Sequence, residues 1–152
     1  ETQVPMELLN IVLDAAIRAP SGRNTQPCHL RVLRSKEKLD ELRKTSTFAG
    51  YKAPLAIIVC GNLSRTLPLQ LSPFWIQDCS AATENILLRV TDLGLGAVWC
   101  GVHPQKRAEE RIRKCLGLDD KKVPLNIIFI GHPNQETEPK DYYNVKKVHY
   151  IK

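Results

Sequence analysis

No stretch of this chain is apolar for the roughly 18 to 20 residues that a membrane-spanning helix requires. The segment after Glu1 also lacks the basic, apolar and small-residue zones of a secretory signal, so a soluble, unexported, cytoplasmic protein without a membrane partner is expected. Cysteine is sparse and unpatterned. Cys28, Cys60, Cys79, Cys100 and Cys115 are an odd set without a Cys-x-x-Cys pair, which argues against a disulfide framework, a structural zinc and a thioredoxin-like site. The chain has neither the Gly-x-x-x-x-Gly-Lys-Ser/Thr of a phosphate loop nor a Gly-x-Ser-x-Gly elbow, and Cys100 with His103 has no further metal-ligand partners. No metal and no catalytic side-chain constellation is therefore expected. Aromatic residues make up only 6% and the basic residues alternate with Glu and Asp despite a net charge of +6, a poor match to a nucleic-acid groove.

What is present is the composition of one packed domain, with 43% hydrophobic and 25% charged residues over 152 positions. Leu9, Val12 and Ala16 give a helical face after Pro5, which Ala19-Pro20-Ser21-Gly22 ends. His29–Leu33 alternates like a strand, and Ser35 is placed to cap a charged helix to about Lys44. Ala56–Cys60 and Leu125–Ile130 are continuously apolar, as strands buried on both faces are. Residues 61–73 form the longest irregular stretch. A long helix over 74–93, stopped by Gly94, carries Cys79, Ala82, Ile86 and Val90 on one face, with Leu87 and Leu88 beyond it as a second face for a symmetry mate. A short strand follows at 97–100, then a helix over 104–116 closed by Gly117, and Val148–Ile151 could add an edge strand. This alternation predicts an α/β or α+β sandwich.

Gly94-Leu95-Gly96-Ala97 starts like a dinucleotide fingerprint, but the third glycine is missing and the order is helix to strand. The segment Ala19-Pro20-Ser21-Gly22-Arg23-Asn24-Thr25-Gln26-Pro27 carries more chemistry. A turn needs only its Pro, Ser and Gly, whereas Asn24 and Gln26 add amides able to pair with the alternating donors and acceptors of a heterocycle.

Taken together, Ala-Pro-Ser-Gly-x-Asn-x-Gln-Pro at 19–27, Phe74-Trp75-x-x-Asp78, Gly94-Leu95-Gly96-Ala97-x-Trp99-x-Gly101, and the Gly131-His132-Pro133 to His149-Tyr150 tail resemble the FMN-dependent nitroreductase family. The resemblance implies an α+β fold in which helices flank a central mixed sheet, and an intertwined homodimer with FMN at its interface. It implies a single domain over 1–152 whose ends are trimmed relative to the family. Carried over by position, Pro20, Ser21, Gly22, Asn24 and Gln26 would meet the flavin from one side, with Arg23 near its pyrimidine end. Ala97, Val98, Trp99, Cys100 and Gly101 would face the ring from the other, and Lys140 would contact the FMN phosphate. Neighbour alternation favours core filling for Trp99 over stacking on the ring. Cys28 stands where the family commonly has an aromatic residue. The implied activity is hydride transfer from NADH or NADPH through flavin N5 to a nitroaromatic, quinone or similar small acceptor, by a ping-pong scheme. The alternatives are a flavin protein with another redox substrate or little turnover, and a basic nucleic-acid module.

Overall fold

The helix boundaries are set by local chemistry. The computed structural model describes residues 2–45, 49–68, 71–135 and 138–151. Helix α1 covers Met6–Ile17, α2 Lys36–Arg43, α3 Phe74–Asp92 and α4 Lys106–Leu116. Ser35 caps α2, its Oγ accepting from the Lys38 N–H at 3.2 Å. Gly94 ends α3 at φ 70°, where a side chain would be strained, and the Leu95 N–H then closes onto the Val90 carbonyl at 3.0 Å.

Strands β1 (Cys28–Leu33), β2 (Leu55–Asn62), β3 (Gly96–Gly101) and β4 (Lys122–Gly131) form one sheet in the order β1-β2-β4-β3. The α+β class is as expected. The sheet differs from the mixed one implied by resemblance, because each pairing among the described residues is antiparallel. β2 and β3 do run in the same direction, joined through α3, but β4 lies between them. A parallel neighbour is thereby replaced by two antiparallel ones.

Each sheet face has its own core. Leu55, Ile57, Val59, Ile128 and Ile130 pack beneath α1 and α3, against Leu9, Val12, Ala82, Ile86 and Val90. Ala56, Ile58, Cys60, Ile127 and Phe129 pack on the other side against Leu39, Leu42, Ala108 and Ile112 of α2 and α4. The interior strands β2 and β4 are thus buried on both faces, which is why their sequences do not alternate. Between α3 and β4, the buried Asn126 amide donates to Thr83 Oγ1 at 2.9 Å.

Three boundaries differ from expectation. β2 continues through Gly61 and Asn62, so the irregular stretch begins with a turn at Leu63–Arg65; its residues 69 and 70 lie outside the described residues. β4 starts at Lys122, before Pro124, because the pairing with β2 slips between Val59 and Cys60 and a residue without an N–H is tolerated there. Val148–Ile151 does not pair with the sheet: Ile151 is 98% exposed and Tyr150 83%, since no apolar surface of this chain covers them.

Candidate functional site

α1 stops at Ile17, and the next ten residues cross to the start of β1. Within them Arg23 (φ 50°), Asn24 (φ 54°) and Gln26 (φ 49°) all occupy the left-handed region, at a cost on the order of 1 kcal/mol each for residues with a side chain. A dense set of bonds holds them there. The Gly22 N–H donates to Asp78 Oδ1 at 2.9 Å, the Asn24 N–H to the Ser21 carbonyl at 2.9 Å, and the Gln26 N–H to Ser21 Oγ at 3.0 Å. The Asn62 N–H fastens the loop's end through the Pro27 carbonyl at 2.8 Å. Asp78 is buried on α3, so the helix fixes the loop from 56 residues away. Gly22 fits because a Cβ there would stand 3.2 Å from Leu67 Cδ1.

This bonding uses the backbone and leaves side chains over. Arg23, Asn24 and Gln26 are exposed, and none of their side chains bonds to another described residue. The Thr25 hydroxyl is buried without a partner among the described residues. A strained loop that spends its main-chain bonds inward and turns two amides and a guanidinium outward is built to receive something.

Beside the loop lies a cleft of about 210 Å³, walled by Ile17, Pro20, Gln26, Cys28, His29 and Arg65. Its lining carries one cation, Arg65, and one acid, Asp78. Desolvation first, then the nearby charges of Lys122, Arg31 and Arg65, hold His29 below the usual histidine range, and Asp119 only partly offsets them. Asn62 Nδ2 stands 3.4 Å from His29 Nε2.

The second expected group lies on β3, an edge strand paired only with β4 among the described residues. Its buried residue is Cys100; Val98 is half-buried, and Ala97, Trp99 and Gly101 are exposed. Core filling for Trp99 is therefore overturned. Trp99 registers with Ile128 on the α1/α3 side, but at the sheet edge the helices no longer cover it, and it stays 40% exposed. The loop at 20–26 enters β1, the opposite edge. The two groups are separated by three strand spacings, about 14 Å, and one chain does not bring them together. Lys140 is exposed on the segment after β4.

Sequence reasoning missed three contributors: Asp78 as the loop's anchor, and His29 and Arg65 at the cleft. For Asp78 a signal existed, an acid in the second turn of a helix facing apolar positions. Trp75 was also without a role. It is buried, and it occupies the space left by Gly61, where a Cβ would come within 2.2 Å of its ring. It meets His103 edge-on at 5.0 Å, and His103 Nδ1 lies 2.8 Å from Glu109 Oε1. Among the described residues no three His, Cys, Asp or Glu side chains gather as a metal site, and no helix is long and apolar enough to cross a membrane.

Known proteins share this arrangement. The model of the Nitroreductase family matches residues 1–49 and 43–132. A protein of Methanothermobacter thermautotrophicus, provisionally named NADH dehydrogenase/NAD(P)H nitroreductase, is 36% identical over 154 aligned positions, covering 100% of this chain and 79% of that protein. A solved structure from Parabacteroides distasonis with the same provisional name superposes with a TM-score of 0.90 at 36% identity, over 98% of this chain and 87% of that one. An FMN-dependent nitroreductase from Clostridium difficile gives a TM-score of 0.88 at 31% identity, over 98% and 89%. The fold is thus shared with these proteins over nearly the whole chain, and the chain belongs to the nitroreductase family.

Proposed function

We infer that the protein is an FMN-dependent NAD(P)H oxidoreductase of the nitroreductase type. When bound, FMN supplies a hydride acceptor at N5 and passes reducing equivalents from NADH or NADPH to a nitroaromatic, quinone or similar small molecule in two separate half-reactions. The chain's own part is to bind, orient and polarise. Among its residues, the outward amides of Asn24 and Gln26, the Thr25 hydroxyl, which has no partner among the described residues, and the Arg65 cation at the cleft would suit the group. Pro20, Ser21 and Gly22 shape the loop against α3, and the exposed Arg23 would supply a cation to negative charge on the pyrimidine end. On β3 the outer edge of 97–101 pairs with no described strand, so its alternate N–H groups would be available to a flat acceptor. Ala97 and Gly101 leave that surface low, with Trp99 beside it. Lys140, a flexible cation, would balance a phosphate carrying nearly two negative charges.

This reading requires a second copy of the chain. The loop and the edge strand lie on opposite edges, so a two-fold dimer that sets the loop of one protomer against β3 of the other would complete two equal sites. Exposed apolar residues support such a contact: Ile17 is 66% exposed, Leu88 62% and Trp99 40%. Leu87 is partly buried against the α1/α3 core, so of the two leucines expected at the interface Leu88 is the more exposed. A reducing cytoplasm that supplies NAD(P)H is the compartment this chemistry needs.

The observation that carries the reading is the loop at 20–26, held at three positive φ angles from within while its amides point out. Purified full-length protein is expected to be yellow, and riboflavin 5′-phosphate should restore colour to stripped protein. Colourless protein that does not bind added FMN would overturn it. Reduction by NAD(P)H without acceptor, with parallel lines in steady-state plots, is the expected kinetic form. Intersecting lines would place the two substrates in one complex instead.

A further inference from the structure

A second cleft, of about 490 Å³, opens beyond the far end of β1, between α2 and the backbone around Gln3 and Lys52. The six residues of β1 separate it from the loop's end at Pro27, about 20 Å at strand rise, so it is distinct from the cleft beside the loop. Its charge is also different. Arg34, Lys36, Arg43 and Lys52 line it with Asp40 as the one acid, a surplus of three positive charges.

Two of these cations are built in. Arg34 follows β1 directly; its Nη2 donates to the Val4 carbonyl at 2.8 Å and its Nη1 to Met6 Sδ, while its buried Nε has no partner among the described residues. Arg43, on the last turn of α2, donates from Nε to the Tyr51 carbonyl at 2.9 Å and from Nη2 to the Ala53 carbonyl at 2.8 Å, with Nη1 on Asp40 at 2.6 Å. Carbonyls and a thioether thus fix both guanidinium groups without cancelling their charge, which Asp40 offsets only once. Lys36, Asp40 and Arg43 stand in one row on α2, at i, i+4 and i+7, and the exposed Lys36 and Lys52 add two ammonium groups. Like charges gathered along a concave wall repel, and a multiply charged anion relieves that repulsion. No aromatic side chain lines the cleft, so its chemistry suits the anion itself and not a stacked ring.

We propose that this cleft binds a diphosphate group, as inorganic pyrophosphate or as the diphosphate of a nucleotide, at a site separate from the flavin's. Arg34 and Arg43 supply preorganised charge whose planar geometry matches phosphate oxygens, and Lys36 and Lys52 neutralise the rest. Arg34 already holds the backbone just ahead of α1, and Arg43 the backbone just ahead of β2, so an occupant ties three segments of the chain together and stabilises the folded state.

The test is isothermal titration of pyrophosphate into the full chain at about 0.15 M salt, with and without excess FMN. One equivalent per chain is expected, unchanged by FMN, with a melting temperature that rises with pyrophosphate concentration. ADP that competes with pyrophosphate identifies a nucleotide as a source of the group; binding of pyrophosphate alone identifies the free ion. Lys36→Glu with Lys52→Glu should weaken binding by about tenfold or more, whereas Lys146→Glu with Lys147→Glu, the same change of charge on the exposed tail, should leave it unaltered. If the first pair does not fold, Lys36→Gln with Lys52→Gln takes its place, and the same difference from the tail pair is expected. Absence of saturable binding, equal losses in the two pairs, or displacement of pyrophosphate by FMN overturns the proposal. A colourless protein that binds pyrophosphate but not FMN would refute the flavin reading and leave this one standing.

Discussion

The two edges of the sheet are finished in opposite ways. At the β1 edge the chain is fastened from several directions: Asp78 takes the Gly22 N–H, Asn62 reaches the Pro27 carbonyl, and Trp75 fills the space that Gly61 leaves. At the β3 edge Ala97, Trp99 and Gly101 are exposed, and the outer main-chain groups pair with no described strand. An exposed apolar edge strand is a hazard unless something covers it. The contrast separates a part that must be rigid before a ligand arrives from a part that waits for its cover, and it predicts where mutations should hurt.

The sharpest break in that symmetry uses two glycines. A Cβ at Gly61 would lie 2.2 Å from Trp75 Cε3, whereas one at Gly101 meets nothing within 4 Å. Gly61→Ala should therefore destabilise by about 3 kcal/mol through overpacking, and Gly101→Ala should stay within about 0.5 kcal/mol. Urea denaturation of both variants checks the pair; equal losses would erase the distinction.

Next in size is the anchor. Asp78→Ala strips the partner from a part-buried N–H and should cost about 1 to 3 kcal/mol, with loss of hydrogen-exchange protection at Gly22 and little change at β3. The outward amide should behave differently. Asn24→Gly keeps the φ of 54° accessible while removing the side chain, so FMN affinity should fall by about 1 to 2 kcal/mol with the melting temperature nearly unchanged. Isothermal titration set beside a thermal melt separates the two effects.

Trp99→Ala should leave the stability of one protomer within about 1 kcal/mol, because the side chain is 40% exposed, yet weaken both dimerisation and FMN retention. Sedimentation equilibrium at micromolar concentration measures the first; an unchanged dimer would remove β3 from the interface. The smallest effect should come from pH at the fastened edge. The folded state holds His29 below its ordinary value near 6.5, so the unfolded chain takes up the proton first as pH falls. Stability is then full above that value and declines below it, through the window down to the folded pKa. His29→Gln should flatten that decline in denaturation curves measured between pH 7 and pH 5.

How much of this was legible follows the same divide. Local rules sufficed for the caps at Ser35 and Gly94, and for the doubly buried strands, since those signals lie within a few residues. They failed where a distant partner decides. Pro124 reads as a strand breaker until the slip opposite Cys60 is seen, and Trp99 reads as core until β3 proves to be an edge. The loop at 20–26 was recognisable by its donors, but its three positive φ angles depend on Asp78, whose role no spacing rule supplies. The separation of loop and β3 was hidden for a further reason: motif order along a chain carries no information about which edge of a sheet a strand takes.

Among the described residues β4 is the last strand in sequence and one of the two interior strands in space. Until residues 122–131 have left the ribosome, β2 lacks its second neighbour and β3 has none, so the nascent chain holds a two-stranded ribbon and a loose segment rather than a sheet. Completion of the sheet thus waits on β4, so its closure is governed by long-range contacts.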